Sequence, residues 1–168
     1  MANRVDPPDA ASELDMLLAF LDYQRETMIW KLDGLMEEQA RSVHSPKGNS
    51  IGGMVRHLAY VERNWFRRVF RGEKDLEVPW TKEDPDADFR LPDDMTVQDV
   101  IDFYRASYAK SNEITRAAGS LDDRAAIPTQ DGIAPTLRWI LNHMLEETAR
   151  HAGHADISRE MIDGSVGE

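Results

Sequence analysis

The chain has 168 residues, a length that suits a single domain with a real core. It contains no cysteine, which excludes disulfides, thiolate metal sites and cysteine nucleophiles. A formal net charge of −11 repels a phosphate backbone, and no stretch approaches the roughly 18 apolar residues that span a bilayer. Neither nucleic acid nor a membrane is therefore an expected partner.

Residues 1–11 read as a flexible lead-in, disordered or loosely docked, because Pro7 and Pro8 bar a helix there. They hold no apolar run, so no signal peptide is expected and the cytoplasm is the expected compartment. The domain proper is expected over residues 12–164. Ser12, with Asp15 three residues on, caps a first helix. Its apolar positions Leu14, Leu17, Leu18, Leu21, Met28, Leu32 and Leu35 recur mostly at steps of three and four, which predicts about 20 amphipathic residues with Gly34 near the end. Residues 43–48 read as a loop around Ser45-Pro46-Lys47-Gly48. Asn49 or Ser50 then caps a second helix whose stripe is Met54, His57, Leu58, Val61, Trp65, Val69 and Phe70.

Residues 72–95 break the pattern with Gly72, Pro79, Pro85, Pro92 and many acids, and Trp80 and Phe89 are expected to dock this long connection on the body. Thr96 and Asp99 open a third helix with Val97, Val100, Ile101, Tyr104, Tyr108 and Ile114 on its buried side, ending at Gly119-Ser120. An irregular stretch over 121–135 follows, and Thr136 caps a last helix that runs to the neighbourhood of Gly164. No strand pattern and no repeat is seen. The expected fold class is all-α, a four-helix bundle with one long crossover between the second and third helices. Its apolar faces also leave room for a homodimer.

The histidines carry the chemistry. His143, His151 and His154, of five in the chain, fall on the last helix, where Glu147 and His151 stand four residues apart on one face. Such a stripe is either a metal site or a polar face turned to water. His57, on an apolar face, is either a satisfied core histidine or a ligand from across the bundle; either way each ring nitrogen needs a partner. Two histidines and a carboxylate leave coordination positions open, which suits catalytic zinc or open non-haem iron. His154, three residues past His151, lies on roughly the same face. A di-iron carboxylate site needs Glu-x-x-His on two helices, and neither Glu62 nor Glu147 has a histidine three residues on. His44 reads as a surface residue in a turn, and His143 stands outside the first-choice site. The arginines at 63, 67, 68 and 71 read as a solvated face and a favourable helix-end charge. Arg56 and Arg150, next to ligands in sequence, point elsewhere on their helices and are given no substrate role.

Three stretches resemble the DinB-like superfamily of helical bundles, which includes mycothiol- and bacillithiol-dependent enzymes. They are Gly52-Gly53-Met54-Val55-Arg56-His57-Leu58-Ala59-Tyr60-Val61-Glu62, then Asp84-Pro85-Asp86-Ala87-Asp88-Phe89-Arg90, then Leu137-Arg138-Trp139 running into Glu147-Thr148-Ala149-Arg150-His151-Ala152-Gly153-His154. The resemblance implies a divalent metal, zinc or nickel, held by one histidine of the second helix and a His-x3-His pair of the fourth. His57 matches the first and His151 the last member of the pair. Glu147 stands where the pattern has histidine, which keeps a ligand and adds a negative charge. His154 stands where the pattern has glutamine, and is read as a fourth ligand or a hydrogen-bond donor beside the site. The metal set is thus His57, Glu147, His151 and His154.

The resemblance further implies a thiol co-substrate of the mycothiol type, consumed in S-transfer to an electrophile or in isomerisation of a small substrate. Because the chain has no cysteine, that sulfur must come from the small molecule. Trp65, Trp80 or Trp139 could border the mouth of such a site or sit in the core. The rival reading is a non-enzymatic bundle, stress-related in role, that binds a metal or small ligand through a closed site with His154 as the fourth ligand.

Overall fold

The computed structural model describes residues 2–44 and 48–167. The expected turn at Ser45-Pro46-Lys47 lies outside the described residues. Among those described, the chain forms five α-helices: α1 (Glu13–Trp30), α2 (Glu37–Arg41), α3 (Ile51–Glu62), α4 (Val97–Ala117) and α5 (Leu137–Asp163). There is no strand among them, only an isolated bridge between Arg124 and Thr136.

The expected caps are in place. Ser12, Ser50, Thr96 and Thr136 accept from the backbone N–H groups of Asp15, Gly53, Asp99 and Trp139, satisfying donors that a helix start leaves free. Gly164 closes α5 in the left-handed conformation at φ 76°, where a glycine carries no Cβ penalty. Three features differ from the sequence reading. α1 stops at Trp30 and turns through Gly34 at φ 77°. A short α2 follows, too brief to show a period; Gln39 accepts from the Met36 N–H, and Arg41 ties α2 to the carbonyls of Pro92 and Met95. The second predicted helix changes winding at Glu62 and continues as a π-helix over Arg63–Phe70. The lead-in is docked at Asn3 and Arg4, which bond Glu26, Thr27 and Tyr23 of α1.

α1 packs along α5, α3 packs along α4, and α3 also meets α5 along a seam. Two apolar clusters fill the interior. One gathers Met28, Leu32, Met54, Leu58, Val100, Tyr104 and Ala152; the other gathers Leu18, Leu21, Phe66, Ile114, Ile140 and Met144. On each of the four longer elements a buried polar residue stands between the two: Arg25, Glu62, Ser111 and Thr148. Arg25 grips Glu62 with two parallel bonds of 2.7 and 2.8 Å and reaches Asn112 of α4 at 2.8 Å. That geometry fits a planar guanidinium to a carboxylate and satisfies both buried charges.

Candidate metal centre

The seam between α3 and α5 carries the candidate site. The four-residue step brings Glu147 and His151 onto one face of α5, and α3 presents His57 to them. Ligand atoms of His57, Glu147 and His151 all lie within 4.8 Å of one another. His57 Nε2 and His151 Nε2 each stand 3.3 Å from Glu147 Oε1. A tetrahedral ion with bonds of about 2.0–2.1 Å has ligand atoms about 3.3 Å apart. The donor set and its spacing therefore fit a divalent ion.

His57 is fixed from behind. Its Nδ1–H donates to Asp88 Oδ2 at 2.7 Å, which leaves Nε2 facing Glu147. Its ring stacks on Phe89 at 3.8 Å with the planes 14° apart, and Phe89 also touches the His151 ring at 5.7 Å. Asp88 and Phe89 belong to a 3-10 turn, Ala87–Phe89. Two residues of α3 hold that turn in place. Arg56 is buried and donates to the carbonyls of Ala87 and Arg90 at 2.7 and 2.9 Å. Gly53 lies so near that a Cβ there would meet the Phe89 carbonyl oxygen at 1.9 Å. His151 has no such support: its Nδ1 is buried without a hydrogen-bond partner among the described residues.

Electrostatics follow from this packing. Hydrogen bonds from His151 and then His57 hold the Glu147 carboxyl well below the usual carboxylate range, against the opposing effect of burial. For His57 burial favours the neutral ring, but the bonds to Asp88 and Glu147 outweigh it and raise its pKa. Without an ion, the cluster is a chain of alternating charge, Asp88, His57 and Glu147.

His154 is not brought into this group. It is exposed, its ring 6.1 Å from that of His151, and it lines a neighbouring cavity of about 300 Å³ with His44, Met54, Ile157 and Met161. His143 stands one turn before Glu147, stacked on Trp139 and edge-on to Trp65. Trp80 packs edge-on against Tyr60. Sequence reasoning missed Asp88 and Arg56. Asp88 is one acid among many in a connection without period, although its segment was one of the three that carried the family resemblance. Arg56 does point away from the metal group, but towards the turn that braces His57. The basic patch is spread over separate partners: Arg63 lies over the rings of Tyr60 and Phe103, and Arg67 pairs with Glu73.

An all-helical protein with two histidines and a carboxylate converging from two helices is the class these observations define. The chain belongs to the mycothiol S-transferase family, whose family model matches residues 16–164. This agrees with the DinB-like resemblance. A solved structure of a conserved protein from Enterococcus faecalis shares the fold, at 17% identity and a TM-score of 0.69, covering 93% of this chain and 100% of the other. No curated protein matches the chain. Among the described residues no helix is long and apolar enough to cross a membrane.

Proposed function

We propose that this protein is a divalent-metal-dependent enzyme that uses a mycothiol-type thiol, as an S-transferase or an isomerase. His57, Glu147 and His151 hold the ion, zinc or nickel. The observation that carries this reading is the convergence of three donor atoms within 4.8 Å, with both histidines 3.3 Å from Glu147 and His57 braced by Asp88. When bound, such an ion lowers the pKa of a thiol or water and so makes a nucleophile available at neutral pH. The chain's own part is positional. Asp88 keeps the proton of His57 on Nδ1, Phe89 shields the ring, and Glu147 sets its carboxylate between the two imidazoles. A closed structural site would need His154 as fourth ligand; its exposed position beside the cavity favours an open site instead.

In this reading α1, α3 with its π continuation, α4 and α5 are a four-helix bundle, residues 71–96 are its crossover, and residues 12–164 are one domain. The protein works in the cytoplasm on small molecules rather than on nucleic acid or membranes. The test is elemental analysis of purified protein together with His151→Ala. Wild type is expected to carry about one ion per chain, and the variant none, with unchanged helical circular dichroism. Full metal retention in the variant would sink the site. A conjugation assay with mycothiol and electrophiles, run on metal-loaded protein, then tests the chemistry.

A further inference from the structure

Along α5, Trp139, His143, Glu147 and His151 follow one another at four-residue steps, and His57, Val61 and Trp65 keep the same step across the seam. Three of these side chains form a ring cluster beside the metal group. The planes of Trp139 and His143 are 12° apart with centroids at 5.0 Å, and Trp65 closes on them at 5.3 and 4.8 Å. Trp139 keeps 47% of its surface exposed, so the stack presents a flat apolar face to water. His143 stands one helical turn, about 6 Å, before Glu147, and Trp139 stands two turns, about 12 Å, before it. Glu147 is also the open member of the metal group, its side chain 27% exposed against 13% for each histidine.

We infer that Trp139, His143 and Trp65 are the subsite for the glucosaminyl-inositol part of the thiol co-substrate. The inference rests on the reading of the site as a mycothiol-type thiol enzyme. In mycothiol a cysteinyl thiol is joined through an amide to an amino sugar. A short spacer of that kind has about the length of one helical turn. Sulfur at the metal group thus places the amino sugar at the level of His143 and Trp65, one turn away, and the inositol joined to it over Trp139, two turns away. The C–H face of a sugar ring meets the electron-rich face of an indole favourably. Asn142 and Glu146, exposed on the same stretch of helix, offer partners for its hydroxyls. An apolar electrophile fits better on the opposite side, where Met54, Ile157 and Met161 line the cavity near His154.

The test is calorimetric titration of zinc-loaded wild type, Trp139→Ala and Trp139→Phe with mycothiol and with N-acetylcysteine, which has the thiol but no sugar. Trp139→Ala is expected to weaken mycothiol about 10-fold, leave N-acetylcysteine unchanged, and bind zinc as wild type does; Trp139→Phe restores most of the loss. Equal mycothiol affinity in Trp139→Ala and wild type overturns the proposal, as does a matching loss for N-acetylcysteine. A second arm needs no metal. Saturation-transfer NMR with the glucosaminyl-inositol part of the thiol should show ring-proton transfer in wild type that Trp139→Ala loses. Absence of transfer in wild type overturns the subsite even where zinc and thiol bind. Failure of the metal reading registers separately, as no zinc uptake by wild type.

Discussion

Gly53→Ala tests whether the metal group depends on the turn that braces it. The added Cβ would stand 1.9 Å from the Phe89 carbonyl oxygen and 3.0 Å from Ser50 Oγ. The first contact is backbone, which cannot rotate away, so the turn must retreat by about 1.5 Å to reach an ordinary contact. That retreat pulls Asp88 from His57 Nδ1 and unstacks Phe89. Forced overpacking of this kind costs about 1–3 kcal/mol, or roughly 2–12 °C in melting temperature for a domain of this size. Loss of the carboxylate behind a ligating histidine weakens metal binding about 10- to 100-fold. Competitive zinc titration and thermal melts measure both effects. Gly153→Ala is the control, since a Cβ there meets nothing within 4 Å. Sitting inside α5, it should stabilise by roughly 0.5–1 kcal/mol and leave zinc affinity alone. Wild-type zinc affinity in Gly53→Ala would refute the argument that the turn positions His57.

Asp88→Asn removes the charge behind His57 with little change of shape, and zinc affinity should fall about 10-fold or more in the same titration. In the metal-free protein, the raised His57 pKa contributes stability that is full below its ordinary 6.5 and is lost as pH rises through the folded value. The depressed Glu147 contributes stability that is full above 4.5 and is lost as pH falls through its folded value. The melting advantage of metal-free wild type over Glu147→Gln should therefore peak between 4.5 and 6.5 and shrink above. Zinc must displace the His57 proton, so its affinity should instead strengthen as pH rises through that window. Arg25→Met strands the fully buried Glu62 and should cost about 3–5 kcal/mol in urea unfolding. Pairing it with Glu62→Leu should recover most of that loss.

The helix starts were legible because capping is local chemistry: Ser12, Ser50, Thr96 and Thr136 each act on a backbone N–H within one turn. The pair Glu147 and His151 was legible for the same reason, since helical spacing alone puts them together. His57 stood apart from His44 and His143 by its place on an apolar face, which left core histidine and ligand both open; the family resemblance favoured the ligand, because the distance across the seam is written in no local pattern. Asp88 was beyond reach, since nothing in an aperiodic acidic connection singles out one carboxylate. The π-helix left a trace: Val61, Trp65 and Val69 step by four without the corrective three that an α-helix needs, a wider period than 3.6. α2, with five residues, has no period to read.

The polar residues that separate the two apolar clusters act as a stop against sliding. Arg25 of α1 is pinned to Glu62 of α3 and Asn112 of α4 by bonds of fixed direction, whereas apolar side chains would tolerate a shift along the helix axes. Were α3 to slip by one turn, about 5.4 Å, Glu62 would be driven unpaired into hydrocarbon, and His57 would leave the level of Glu147 and His151 by the same distance. The buried ion pair thus guards the height of His57, the proposed ligand, which it never touches, as single polar positions fix the register of coiled coils.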